Sequence, residues 1–156
     1  MKRYFHLLLA CLITIILFGC STNPSIIVNV EAIESRPLEI HLIGMDEDNI
    51  HKLMEFSVSE YWEPFPIRLK CYSKSIFKMY FYRRKTEEKL PGNHQVWQYW
   101  EELNVDCLMV IVNFPLEKDY YQTPENDPRR AFFPLKHWNL RRKIKLKITP
   151  EGIFCN

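Results

Sequence analysis

Several separate stretches of the chain alternate apolar and polar residues with a period of two, the mark of β-strands with one buried face. Ile26-Ile27-Val28-Asn29-Val30 is rich in β-branched residues and reads as a strand. From Pro37 to Ile43, Leu38, Ile40 and Leu42 share one face, and Glu39 and His41 share the other. Phe65, Ile67, Leu69 and Cys71 alternate with Pro66, Arg68, Lys70 and Tyr72. After the polar break Ser73-Lys74-Ser75, Phe77, Met79 and Phe81 alternate with Lys78, Tyr80 and Tyr82. Two such runs around a short polar link predict a hairpin. Cys107 to Phe114 is almost wholly apolar, which predicts a central strand buried on both faces. Ala131-Phe132-Phe133 predicts a short strand. Lys143 to Thr149 alternates strictly, with Ile144, Leu146 and Ile148 set against Lys143, Lys145 and Lys147.

Helical spacing occurs twice. Asp46 is placed to cap a helix from about Glu47 to Phe56, with Ile50, Leu53 and Met54 on one side. Asn93 is placed to cap one from His94 to Leu103, with Val96, Trp100 and Leu103 on one side. Arg83 to Gly92 reads as a loop or strand end. Tyr61 to Pro66 reads as an aromatic, proline-stiffened turn, and Lys118 to Arg130, holding Pro124 and Pro128, as a polar surface loop. About seven short strands with two helices that do not alternate regularly with them predict a mainly-β fold. The expected architecture is an antiparallel β-sandwich with two short inserted helices.

The first residues follow another pattern. Lys2 and Arg3 precede an uncharged apolar run of twelve residues, Leu7 to Phe18, and then Gly19-Cys20. Such a run is short for a bilayer span and suits the hydrophobic region of a signal peptide. Leu17-Phe18-Gly19-Cys20 resembles the lipobox of bacterial lipoproteins, with Phe18 bulkier than the usual residue at its position. The resemblance implies a diacylglycerol on the Cys20 sulfur and cleavage between Gly19 and Cys20. Two or three acyl chains together give stable anchoring where one would not. Ser21, rather than Asp, follows Cys20, which leans towards the outer membrane, facing the periplasm, rather than the inner. Residues 1–19 are then a signal peptide, 20–25 a lipidated tether and 26–156 one β-sandwich domain. An ordinary secretory signal or an uncleaved anchor is the alternative.

Composition bounds the function. The 156 residues hold 21 Lys plus Arg, 19 Asp plus Glu, 47% apolar residues and 14% aromatics, a globular balance. Loss of Lys2 and Arg3 with the signal leaves the charges even, so overall basicity carries no case for nucleic acid. Four Gly against ten Pro argue against glycine-rich phosphate loops. Beyond Cys20 lie Cys71, Cys107 and Cys155, an odd number. An exported compartment permits a disulfide, with Cys71–Cys155 the first pairing to test and three buried thiols the alternative.

Catalytic constellations are few. His41, His51, His94 and His137 show no close metal-ligand spacing and read as isolated surface histidines. Glu87-Glu88 and Glu101-Glu102 are adjacent and do not face each other. Cys107, at the opening of an apolar strand, reads as an inert thiol. The expectation is therefore no enzyme, no cofactor and no metal. Trp97 and Trp100 read as core, whereas Trp62 and Trp138 fall in loops, as interface anchors or as plugs of the sandwich end. The lysine face of Lys143, Lys145 and Lys147, beside Arg141-Arg142, reads as protection of an edge strand. Its functional alternative is contact with anionic lipid head groups or an acidic partner.

The order of parts also resembles the outer-membrane lipoprotein family of the type VI secretion membrane complex. The matching stretches are Arg36-Pro37-Leu38-Glu39-Ile40-His41-Leu42-Ile43, the helix near Leu53 and Phe56, the apolar strand Leu108 to Val112, Arg129-Arg130-Ala131-Phe132-Phe133-Pro134-Leu135, and the last alternating strand. The family usually carries an Arg-Ile-Tyr-x-Leu-like motif where this chain has His41-Leu42-Ile43-Gly44. The resemblance implies a transthyretin-like sandwich and a structural, docking role in the envelope, with a protein partner. Candidate partner anchors are Tyr61, Trp62, Tyr120 and Tyr121, on the two proline-bracketed loops. The alternatives are a lipid-anchored binding module for a small ligand or glycan, with an open aromatic groove around Trp62 or Trp138, and an enzyme of unrecognised chemistry.

Overall fold

The computed structural model describes residues 23–31, 37–55, 57–63, 73–82, 84–114, 126–138 and 141–156. The signal segment with Gly19 and Cys20, the alternating run from Phe65 to Tyr72 with Cys71, and Tyr120 and Tyr121 lie outside these residues.

Alternation places the strands where the sequence indicates. They are β1 (Ser25–Val30), β2 (Leu38–Met45), β3 (Ile76–Phe81), β4 (Glu87–Leu90), β5 (Cys107–Val112), β6 (Arg130–Pro134), β7 (Lys143–Thr149) and β8 (Gly152–Cys155). They form two four-stranded sheets, sheet A in the order β4-β1-β7-β8 and sheet B in the order β3-β2-β5-β6. The expected β-sandwich is present. Pairing is antiparallel throughout except between β1 and β7, which run parallel with Ile26 opposite Ile144 and Val30 opposite Ile148. These two strands are too far apart in sequence for a hairpin to dictate their relative direction.

The inner faces meet in one core. Ile26, Val28, Leu90, Ile144 and Leu146 of sheet A pack with Ile40, Leu42, Met79, Phe81, Leu108 and Val110 of sheet B, all fully buried. Among the described residues three helices decorate the sheets: α1 (Glu47–Met54), α2 (Val58–Tyr61) and α3 (Val96–Glu102). Asp46 caps α1 as expected, accepting from the Asn49 backbone N–H at 2.9 Å. α3 starts two residues later than the sequence suggests. Gln95, not Asn93, is its N-cap, and the His94 Nδ1 accepts from the Val96 N–H at 3.1 Å. Its end is set by Asn104 at φ 52°, with Val105 N–H donating to the Trp100 carbonyl at 2.8 Å. That is a Schellman closure with Asn in the left-handed region.

Trp97 and Trp100 are core residues, as their spacing predicts. Trp100 Nε1 donates to the Ser75 carbonyl at 2.8 Å. Its ring lies so close to β2 that a Cβ at Gly44 would sit 2.4 Å from it, so that position tolerates glycine alone. Trp138 closes a 3₁₀ turn (Leu135–Trp138) and is buried, which settles it as a plug rather than an exposed anchor.

Three further differences from the sequence reading have physical causes. β4 forms within the segment read as a loop or strand end, because Ile26 to Asn29 offers it an antiparallel edge. β8 is an additional strand. Pro150-Glu151 turns the chain, and Gly152 at φ 150° takes a conformation unfavourable to other residues. β7 is not an edge strand, since β1 and β8 flank it, so its lysines do not guard an open ladder. Cys107 is buried in β5, while Cys155 is a free thiol, half-buried, with burial pushing its pKa up against the opposing charge of Arg141.

Candidate functional site

The outer face of sheet B carries a buried group of hydrogen-bonded polar side chains. Register lines it up in rows. Tyr80 stands opposite Glu39; Lys78, His41, Ile111 and Arg130 form the next row; Ile76, Ile43, Met109 and Phe132 the one after. Ile43, Met45, Met109 and Ile111 are each only 1% exposed. A second, smaller core therefore covers this face, with Val58 fully buried in it and Ile50, Tyr61 and Trp62 packed against it. The cover is the α1–α2 segment.

α2 has only four residues, too few to persist by its own hydrogen bonds. Its start is fixed by a complete capping box. The Ser57 Oγ accepts from the Glu60 N–H at 3.1 Å, and the Glu60 carboxylate accepts from the Ser57 N–H at 2.9 Å. Its end is fixed by a buried chain of polar contacts. His41 Nε2 lies 2.7 Å from Glu39 Oε1, and Nδ1 lies 2.6 Å from the Tyr61 hydroxyl. A carboxylate only accepts, so Nε2 carries the proton of the neutral ring and Nδ1 accepts from Tyr61. Tyr61 meets the imidazole edge-on and Trp62 lies tilted against it, at centroid distances of 5.6 and 4.7 Å.

His41 is thus a correction. It does point away from the main core, as alternation requires, but α2 covers it and leaves it 2% exposed rather than on the surface. Burial holds its pKa below the ordinary 6.5, although the hydrogen bond and charge of Glu39 pull the other way. Burial also raises Tyr61, with the Glu39 charge adding to it, so the phenol stays a proton donor. Both imidazole nitrogens are engaged, and the network acts as a clasp for α2 rather than as a base awaiting a substrate.

A second polar cluster adjoins α2. Arg129 Nε and Nη2 donate to the two carboxylate oxygens of Asp127 at 3.0 and 2.7 Å, with both side chains nearly buried. The same Nη2 reaches the Ser59 hydroxyl of α2 at 3.3 Å. Arg129, at the end of one loop that the sequence singles out, therefore touches α2, whose last residue Tyr61 begins the other. Tyr61 and Trp62 sit on the face of the sheet, half-buried, and not in an exposed loop at its end. The Trp62 indole Nε1 is buried and finds no hydrogen-bond partner among the described residues. Such an orphaned donor carries a penalty of roughly 1–3 kcal/mol.

Sequence reasoning did not single out Glu39, Ser57, Ser59, Asp127 or Arg129 for this site. Ser57-Val58-Ser59-Glu60 is a legible capping-box signal, and Asp127 two residues before Arg129 a legible turn. The Ser59–Arg129 contact, across 70 positions, has no local signature.

Two face-to-face sheets with a helix-covered outer face define a β-sandwich class. No protein-family model matches the chain, and no curated protein matches it at a significant level. Solved structures do match. One is described as the C-terminal domain of the T6SS protein TssM from EAEC, at 9% identity and a TM-score of 0.59, covering 85% of this chain and 99% of that one. Another, described as a type VI membrane complex, matches at 6% identity and a TM-score of 0.52, covering 86% and 98%. The Serratia marcescens Lip protein, described as a membrane-bound component of the type VI secretion system, matches at 10% identity over 88% of this chain and 99% of that one. Its TM-score is 0.48, a level from which no shared topology is inferred. At these identities the likeness is one of fold.

Proposed function

We propose that the chain is a non-enzymatic docking component of the cell envelope, anchored by lipid on Cys20 after cleavage beyond Gly19, and part of a type VI-like secretion membrane complex. Residues 26–156 act as one docking domain facing the periplasm, on the outer membrane rather than the inner. The observation that carries this reading is the fold match over 85% of the chain to a structure described as a T6SS component. The lipobox-like Leu17-Phe18-Gly19-Cys20 supports the anchor.

The docking site is assigned to the junction of α2 with the turn at Asp127–Arg129, with Tyr61, Trp62, Tyr120 and Tyr121 as its candidate anchors. Support comes from the Arg129–Ser59 contact and from the unpartnered Trp62 indole, which a partner's carbonyl would satisfy if the segment shifts on binding. The test is affinity capture from detergent-solubilised envelopes of a tagged full chain. Trp62→Ala is expected to weaken capture of an envelope protein about thirtyfold, the effect of losing about 2 kcal/mol. Trp62→Phe should fold at least as stably as the parent, because it removes an unmet donor, and yet still bind more weakly. Unchanged capture by both variants and by a shortened 120–127 loop would exclude the site. Palmitate labelling that persists in Cys20→Ala would exclude the anchor.

A further inference from the structure

The outer face of sheet A has the opposite character. In its register, Ser25 stands beside Lys143; Lys89, Ile27 and Lys145 form one cross-strand row; and Glu87, Asn29, Lys147 and Phe154 form the next. Lys89, Lys143 and Lys145 are exposed, and among the described residues none of them makes an ion pair. Lys147 pairs with Glu31 at 2.9 Å, so the unneutralised charge lies in the half of the face nearer Ser25. Arg141 and Arg142 extend that half, both exposed, with the Ser25 N–H donating to the Arg142 carbonyl at 3.0 Å. Phe154 stands 48% exposed on the same face. Among the described residues no helix covers this face as α1 and α2 cover sheet B.

We propose that this face binds anionic phospholipid head groups, holding sheet A against the membrane that carries the chain. The proposal rests on the anchored reading for its geometry. Asn23 is three positions from Cys20, so at most about 11 Å of extended chain separates the described domain from the lipidated residue. A domain tethered so closely can bring Lys143, which stands beside Ser25, down to the lipid surface, where charges act within about one Debye length. Charge then selects the orientation. Asn23 Nδ2 donates to Glu101 Oε1 at 3.1 Å, so α3, with Glu101 and Glu102, flanks the entry of the tether on one side. The acidic helix is repelled by an anionic surface and the lysine face attracted, which tilts sheet A downwards. Lysine stems spread on the interface while their ammonium groups reach phosphate, and Ile27, between Lys89 and Lys145, and Phe154, in the next row, supply apolar contact. Each basic residue near such a surface contributes about a fivefold gain in partition.

The experiment uses the full chain with vesicles of phosphatidylcholine alone or with about a third phosphatidylglycerol, a composition chosen to give a surface potential. Flotation with the neutral vesicles reports the anchor. Amine-reactive labelling read by mass spectrometry reports the face, with exposed Lys136 as the internal reference. Lys89, Lys143 and Lys145 are expected to label about fivefold more slowly on the anionic vesicles than on the neutral ones, relative to Lys136, and to recover in high salt. A chain that fails to float on neutral vesicles but keeps this protection on anionic ones retains the face and loses the anchor. Equal labelling of the three lysines on both vesicle types overturns the proposal. Protection that arises only in protein-containing native membranes also overturns it, assigning the face to an acidic protein instead. The charge-removing variant Lys89→Gln, Lys143→Gln, Lys145→Gln should lose salt-sensitive binding to anionic vesicles by roughly a hundredfold without change on neutral ones.

Discussion

Both sheets turn alternate residues inward to one core, and what differs is the opposite face of each. On sheet B the outward positions of β2 and β5 include His41, Ile43, Met45, Met109 and Ile111, each buried beneath the α1–α2 segment. On sheet A the outward positions of β7 are Lys143, Lys145 and Lys147, with Ile27 between Lys89 and Lys145. Alternation therefore tells which residues share a face but not whether that face is wet. The composition of the outward set answers the second question. An unbroken apolar run such as Cys107 to Val112 announces a strand covered twice, whereas lysines at alternate positions announce solvent or a charged surface.

The sharpest way to break this contrast is to make the same cut on each side. Ile111→Ala removes a side chain that is 1% exposed beneath the helical cover, with an expected loss of about 2–5 kcal/mol in urea or thermal unfolding. Ile27→Ala, half-buried among lysines, should cost less than about 1 kcal/mol. Equal losses would mean that the cover over sheet B contributes nothing.

Next in size is the clamp beside α2. Asp127→Ala leaves the nearly buried Arg129 guanidinium without its carboxylate and should destabilise by roughly 2–3 kcal/mol. Asp127→Asn, which keeps an acceptor, should recover part of that loss.

The clasp at His41 gives a pH dependence. In the unfolded chain the ring takes a proton near its ordinary pKa of 6.5, whereas in the folded chain burial holds the pKa lower. Unfolding therefore takes up a proton below about pH 6.5, and the stability that rests on neutral His41 is complete above that value and is lost as pH falls through it. The melting temperature should decline between about pH 7 and pH 5. His41→Gln, able to accept from Tyr61 and donate to Glu39 without titrating, should be about 1 kcal/mol less stable at neutral pH and flatter across the range. A parent chain with no decline would remove His41 from the buried network.

The smallest effect belongs to sheet A. Lys145→Ala should leave stability within about 0.5 kcal/mol of the parent, since it is exposed and unpaired among the described residues.

Much of the fold was legible because most strands announce themselves locally. β7 spans the residues that its alternation indicates, and β2, β3 and β5 lie within a residue or two of theirs. The parallel β1–β7 pair, β4, and the seat of α2 on sheet B were not. Each depends on segments far apart in the chain, where no turn or period records the partner. The site divides in the same way. Tyr61 and Trp62 stood out as aromatics beside prolines. Alternation turns His41 outward but says nothing of its cover, which comes from another element, and the role of Arg129 at the site has no local sign because it lies in the contact with Ser59.

The division of the two outer faces can be tested in the intact envelope by photo-crosslinking. A photoreactive side chain replaces exposed Glu63, just beyond α2, in one variant and Lys145 in another. The account predicts a discrete protein adduct from position 63 and, from position 145, lipid adducts with no protein band. A discrete protein adduct from position 145 with none from position 63 would contradict it.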